Sequence, residues 1–98
     1  MIIAEFNIIP LGTKTPSVSK YVKAVVQELE KNSEIKVIPG AMGTILESNS
    51  LEKIFRAIER ARERVFDMGV ERVVISIRID ERRDKEISVE SKIKAIKE

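Results

Sequence analysis

Residues 2–9 alternate strictly: Ile2, Ala4, Phe6 and Ile8 fall on one face, and Ile3, Glu5, Asn7 and Ile9 on the other. That is the period-two signal of a half-buried strand, expected to end at Pro10 and Gly12. Thr15-Pro16-Ser17 then reads as a helix start. Thr15 is the expected N-cap and Pro16 the first helical residue, where a missing N–H costs nothing. The helix carries the apolar stripe Val18, Val22, Val25, Val26 and Leu29, and Asn32 is its expected stop.

The period returns to two at residues 35–38, a short strand, followed by a Pro39-Gly40 turn and a second strand over residues 42–48. Asn49-Ser50-Leu51-Glu52 has the form of a capping box, with Asn49 or Ser50 as the cap and Glu52 reaching back. The helix it opens is the clearest element in the chain. Leu51, Ile54, Phe55, Ile58, Ala61, Val65 and Phe66 form its apolar stripe, Glu52, Arg56, Glu59, Arg60, Glu63 and Arg64 its solvated face, and Gly69 its left-handed end. Residues 71–80 alternate again, with Val73, Ile75, Ile77 and Ile79 opposite Val74, Ser76, Arg78 and Asp80. A mixed charge run precedes Ser88, which caps a last short helix bearing Val89, Ile93 and Ile96.

The order strand, helix, strand, strand, helix, strand, in two halves of similar length, is that of an α+β ferredoxin-like βαββαβ sandwich. Right-handed crossovers set the strand order 4-1-3-2, with two helices on one face and the short C-terminal helix added. The helices are expected to cover Phe6, Ile8, Val37, Ile45, Ile75 and Ile77. The opposite face is expected to be bare and to carry Ile3, Glu5, Asn7, Ile9, Ile38, Thr44, Leu46, Ser76 and Arg78.

Length and composition narrow this further. Ninety-eight residues, 43% hydrophobic and 35% charged, suit one folded domain spanning residues 1–98. With no Cys and no His, disulfides, thiolate or imidazole chemistry, and zinc, haem or iron–sulfur ligation are excluded. Any catalysis would fall to carboxylates, Lys, Arg, Ser, Thr or Tyr21, and spacing places no second catalytic group beside Glu47 or Asp80, so no enzymatic activity and no cofactor are expected. Eighteen Lys and Arg against 16 Asp and Glu alternate along the chain without a basic block, so no nucleic-acid partner is expected. No apolar run reaches the roughly 18 residues of a membrane span, and a cytoplasmic protein without membrane contact is expected. One Gln, three Asn and abundant Ile, Glu, Lys and Arg match heat-adapted usage, so the chain is expected to be thermostable.

The fold alone does not select a function. An RNA-binding module would stack bases on sheet aromatics, but the two central strands offer only Phe6, whose parity sends it into the core. An acyl-phosphate hydrolase would need a Gly-rich anion loop with an Arg after the first strand; residues 10–15 hold one Gly and no Arg. A bare face mixing Ile3, Ile9, Ile38 and Leu46 with Asn7, Thr44, Ser76 and Arg78 is expected to be covered by a second copy, a ligand or both.

Asn7-Ile8-Ile9-Pro10-Leu11-Gly12, Pro16-Ser17-Val18-Ser19-Lys20-Tyr21-Val22, Met42-Gly43-Thr44-Ile45-Leu46-Glu47 and Ile79-Asp80-Glu81-Arg82-Arg83-Asp84 together resemble the successive motifs of the small thiamine-binding family related to YkoF, long described as an uncharacterised protein family. The resemblance covers essentially the whole chain. It implies a ferredoxin-like fold, a homodimer or homotetramer, no enzymatic activity, and binding of thiamine or its hydroxymethylpyrimidine half.

Against that expectation, the candidate ligand-binding residues are Asn7, Ser17, Ser19, Thr44, Glu47 and Arg78. Thr44 can hydrogen-bond a pyrimidine, and Asn7 both donates and accepts, as an aminopyrimidine requires; either can equally bond across the sheet or an interface. Glu47 can accept from the exocyclic amine or balance the thiazolium charge, but its parity is opposite to that of Thr44, and it can serve instead as a helix cap. Ser17 and Ser19 sit in the first turn of the first helix, where free N–H groups suit an anion or a ring acceptor, and where capping also explains them. Arg78 and Asp80 can bridge an interface or meet a ligand's polar end, while Arg82 and Arg83 read as a solvated charge run. Tyr21 can lid a pocket or pack on a partner chain. The competing reading is an interaction module whose bare face only makes an oligomer or docks another protein.

Overall fold

The backbone of the sheet is a long antiparallel ribbon. β1 (Ile2–Leu11) pairs along its whole length with β4 (Arg72–Glu81), from Ile2 opposite Glu81 to Leu11 opposite Arg72. The computed structural model describes residues 1–14 and 18–98. Thr15 and Pro16, expected to open the first helix, and Ser17 lie outside the described residues. The remaining elements are α1 (Ser19–Glu30), β2 (Lys36–Pro39), β3 (Thr44–Ser48), α2 (Leu51–Asp67) and α3 (Val89–Lys97). The sheet order is β2-β3-β1-β4, the expected α+β sandwich read from its other edge.

β1 runs two residues beyond the expected stop at Ile9. Past Phe6 it has β4 on one side and no β3 on the other, so Pro10 sits in a one-sided ladder, where a residue without an N–H is tolerated. β3 in turn begins at Thr44 rather than residue 42, because residues 40–43 form a tight turn closed by the Gly40 N–H donating to the Gly43 carbonyl at 2.9 Å. A side chain at position 40 would place its Cβ 2.9 Å from that same oxygen, and Gly43 holds φ at +155°, so this turn needs both glycines.

α1 buries Tyr21, Ala24, Val25 and Leu29. The expected stripe is therefore rotated: Val18 and Val22 lie at the edge of the layer, 38% and 43% exposed. The Asn32 side chain accepts from the Glu34 N–H at 2.9 Å and turns the chain after the helix. α2 is capped by Ser50, whose hydroxyl accepts from the Lys53 N–H. With Ser50 as cap, Glu52 is one position too early to reach back, and it pairs with Arg56 one turn on. Gly69, at φ +93°, ends α2 as expected. Ile54, Ala57, Ile58, Ala61 and Val65 of α2 pack with Leu29 on Ala4, Phe6 and Leu46, forming the core; Phe55 stays on the surface. Burying such side chains contributes roughly 1.5–3 kcal/mol each.

One expectation reverses. Thr44 pairs with Phe6 and Leu46 with Ala4, so both face the helices, whereas Ile45 and Glu47 lie opposite Glu5 and Ile3 on the outer face. Ile45 was expected under the helices and Thr44 and Leu46 on the bare side. Pairing register decides the facing, and a Thr-Ile-Leu-Glu-Ser run has apolar residues at both parities.

The outer face is also not wholly bare. The Glu47 carboxylate, itself buried, accepts from the Val89 N–H at 3.2 Å and so holds the amino end of α3 against the sheet. Lys92 pairs with Asp80 at 2.7 Å, and Lys36 with Glu90. Ile87 and Val89 are buried beneath this helix, which Ser88 and Ser91 cap reciprocally. α3 therefore covers the end of the outer face where β1 begins. At the opposite end Ile9, Leu11 and Val74 remain open.

Candidate functional site

Because β3 stops at Thr44 while β1 continues to Leu11, the sheet has a notch beside residues 7–11. The side chains and turns around that notch enclose a cleft of about 240 Å³. Phe6, Ile8 and Ile9 of β1 form its floor, Val18, Val22 and Val25 of α1 one wall, and residues 40–44 the other. The rotated stripe of α1 is thus explained: Val18 and Val22 line a cavity instead of filling the core.

Two of the expected residues meet there. Asn7 donates from its side-chain amide to the Met42 carbonyl at 3.1 Å, which ties β1 to the turn and leaves the Asn7 carbonyl oxygen available as an acceptor. Thr44 is 7% exposed and lines the same cleft. Its hydroxyl forms no hydrogen bond with another described residue. Since no buried side-chain oxygen among the described residues lacks a partner, this hydroxyl is reached by solvent from the cleft, where a ligand can replace the water. The arrangement is an apolar slot with a hydroxyl and an amide at its edges, suited to a flat heteroaromatic ring.

The other expected residues go elsewhere. Glu47 stands opposite Ile3, four residues along β1 from Asn7 and so about 13 Å away at strand spacing, and holds α3. It caps a helix, though a different one from the helix its neighbour Asn49 suggested. Arg78 lies on the outer face, 88% exposed at its side chain and 3.9 Å from Glu5. Ser19 is exposed in the first turn of α1 and does not line the cleft, and Ser17 lies outside the described residues. Arg82 pairs with Asp84 and Arg83 with Glu81 beyond the far end of β4. The Arg82 guanidinium holds the Asp84 carboxyl below its usual range. Tyr21 is buried against the other side of the α1 turn, with the Lys20 ammonium 5.0 Å from its ring centroid. Val18, Val22 and Ile9 were not singled out from sequence as cleft residues; the available signal was the Gly40–Gly43 spacing, which marks a tight turn beside the end of β1.

Among the described residues no cluster of carboxylates is placed to hold a metal ion, and no helix is long and apolar enough to cross a membrane. A family model described as "Thiamine-binding protein" matches residues 4–97. The chain belongs to that thiamine-binding protein family. The UPF0045 protein MJ1052 of Methanocaldococcus jannaschii is 50% identical over 97 residues, spanning 99% of this chain and 93% of its own. A UPF0045 protein of Methanothermobacter thermautotrophicus is 41% identical over 98 residues, spanning 100% and 98%. The crystal structure of MJ1052 superposes with a TM-score of 0.88 at 48% identity, covering 98% of this chain and 95% of that one. A Thermotoga maritima protein whose name proposes a part in thiamine biosynthesis or salvage gives a TM-score of 0.78 at 15% identity, covering 97% of each chain, and shares the fold. The thiamine-binding family thus spans nearly the whole chain, cleft included.

Proposed function

We propose that this member of the thiamine-binding family binds thiamine, or its hydroxymethylpyrimidine moiety, without transforming it. The observation that carries this reading is the Thr44 hydroxyl, which bonds no other described residue and opens on an apolar cleft, in a chain of this family. In the proposed complex the pyrimidine lies between Val22 and the residues 40–43 turn. Thr44 donates to a ring nitrogen, and the Asn7 carbonyl accepts from the exocyclic amine. Glu5, whose Cγ would stand 3.8 Å from a Cβ at Gly43, supplies a carboxylate near the turn for the thiazolium charge. Glu47 and Arg78 are left out of this site by their positions.

The protein works in this reading as a homo-oligomer. Ile9 and Val74, 47% and 43% exposed, are cross-strand neighbours on the outer face, and a second copy would remove them from water.

Isothermal titration of thiamine, thiamine phosphates and hydroxymethylpyrimidine, with light scattering on the same sample, tests both parts. Saturable binding with a stoichiometry tied to the subunit count is expected. Flat heats from a folded oligomer would overturn the ligand and leave an interaction module, and a monomer would overturn the assembly.

A further inference from the structure

On the other side of the first turn of α1 lies a second and larger cavity of about 630 Å³. Three separate stretches of chain build it: residues 11–14 after β1, Lys20 and Tyr21 of α1, and residues 69–72 between α2 and β4. It shares no lining residue with the Thr44 cleft.

Many cations of α2, α3 and the end of β4 lie against carboxylates, as in Arg56–Glu52, Lys53–Glu34, Lys92–Asp80 and Arg82–Asp84, although Arg60 and Arg64 of α2 and Lys97 of α3 form no ion pair with a described residue. Lys14 and Arg72 form no ion pair with a described residue, and Lys20 rests on the face of Tyr21. Three cations from three elements therefore converge on one concavity, with Glu71 as its single carboxylate. Three like charges lining one concavity give it a positive potential that favours an anion. Gly12 and Gly69, at φ +74° and +93°, have only open space where a Cβ would stand, so the rim here is bare backbone that a ligand can approach closely. Residues 11–14 include no Arg, and the fold supplies one from the start of β4. Leu11, Tyr21 and Val70 give the cavity an apolar side for whatever the anion is attached to.

We propose that this cavity is a binding site for a phosphoryl group, carried by an inorganic polyphosphate or a small phosphate ester, with Arg72 as the bidentate contact and Lys14 and Lys20 as point charges. The site is independent of the thiamine reading, because the two cavities have no residue in common.

Inorganic pyrophosphate and inorganic phosphate are the probes, titrated calorimetrically into the intact protein at low salt. Saturable binding is expected, tighter for pyrophosphate, weakened about tenfold or more by Arg72→Glu and falling with added salt. Lys85→Glu, an equal charge change in the exposed loop before α3, should alter affinity by no more than about twofold. Should Arg72→Glu fail to melt cooperatively, Lys14→Glu in the loop takes its place with the same expectation. Absence of binding by either probe at millimolar concentration would overturn the site. Equal losses in Lys85→Glu and the cavity variant would also overturn it, by assigning binding to net charge alone.

Discussion

The cleft at Thr44 is walled by valines and a glycine turn and edged with one hydroxyl and one amide, whereas the cavity at Arg72 is larger and edged with three cations. Both use the first turn of α1, one its valine side and the other Lys20 and Tyr21. On the two proposals, a neutral ring gains from the first by leaving water and filling two directional hydrogen bonds, and an anion from the second through charge, at longer range and with less demand on shape. On these proposals, one helix turn separates a site selective by geometry from a site selective by charge.

The bluntest way to erase this difference is to loosen the layer beneath both cavities. Leu46→Ala empties a fully buried position and is expected to cost about 2–5 kcal/mol in chemical denaturation, weakening both sites together. Gly43→Ala should separate them. It forces a left-handed backbone on a residue whose Cβ would lie 3.3 Å from the Phe6 carbonyl, an expected loss of about 1–3 kcal/mol, with thiamine binding abolished and pyrophosphate binding retained. Thr44→Val is gentler. It should weaken thiamine about tenfold by calorimetry, the worth of one hydrogen bond, while the melting temperature changes little because the hydroxyl it removes bonds no other described residue.

The smallest expected effect lies outside both cavities. Lys36 holds the Glu90 carboxyl below its usual range, as Arg82 does Asp84. A carboxyl whose pKa is depressed on folding stabilises fully above the ordinary carboxylate range of about 4–4.5, and that contribution disappears as pH falls through the lowered values. Melting at low salt should therefore show a slight loss at acid pH, with hydrogen exchange in α3 rising first, and thiamine affinity unaffected by the titration of either group.

Much of the architecture was legible because single elements declare themselves. The alternation through residues 2–9 and 71–80 marks the central ribbon, and the stripe from Leu51 to Phe66 with Gly69 after it marks α2 almost to its ends. The facing of β3 was not legible. Ile45 and Leu46 are both apolar, and the residue that breaks the tie, Thr44, is buried in a cleft and not in a dry core. The stripe of Val89, Ile93 and Ile96 announces an amphipathic helix, but not that its amino end lands on Glu47. Asn7 and Thr44 were found as candidates and are neighbours in space. The cavities themselves were out of reach, since each is assembled from stretches tens of residues apart whose approach only the sheet order determines.

The shortness of β3 has a consequence for how such a protein diversifies. Because the ladder beyond Phe6 is completed by the turn at residues 40–43 and not by a strand, one wall of the cleft is a detachable surface segment tied to β1 by the Asn7–Met42 hydrogen bond. Insertions and deletions in a turn of this kind add little closure entropy and leave the core untouched. If the cleft binds as proposed, its shape can therefore be altered by changes in loop length alone, with the helices and the long ribbon serving as a fixed frame beneath a replaceable roof.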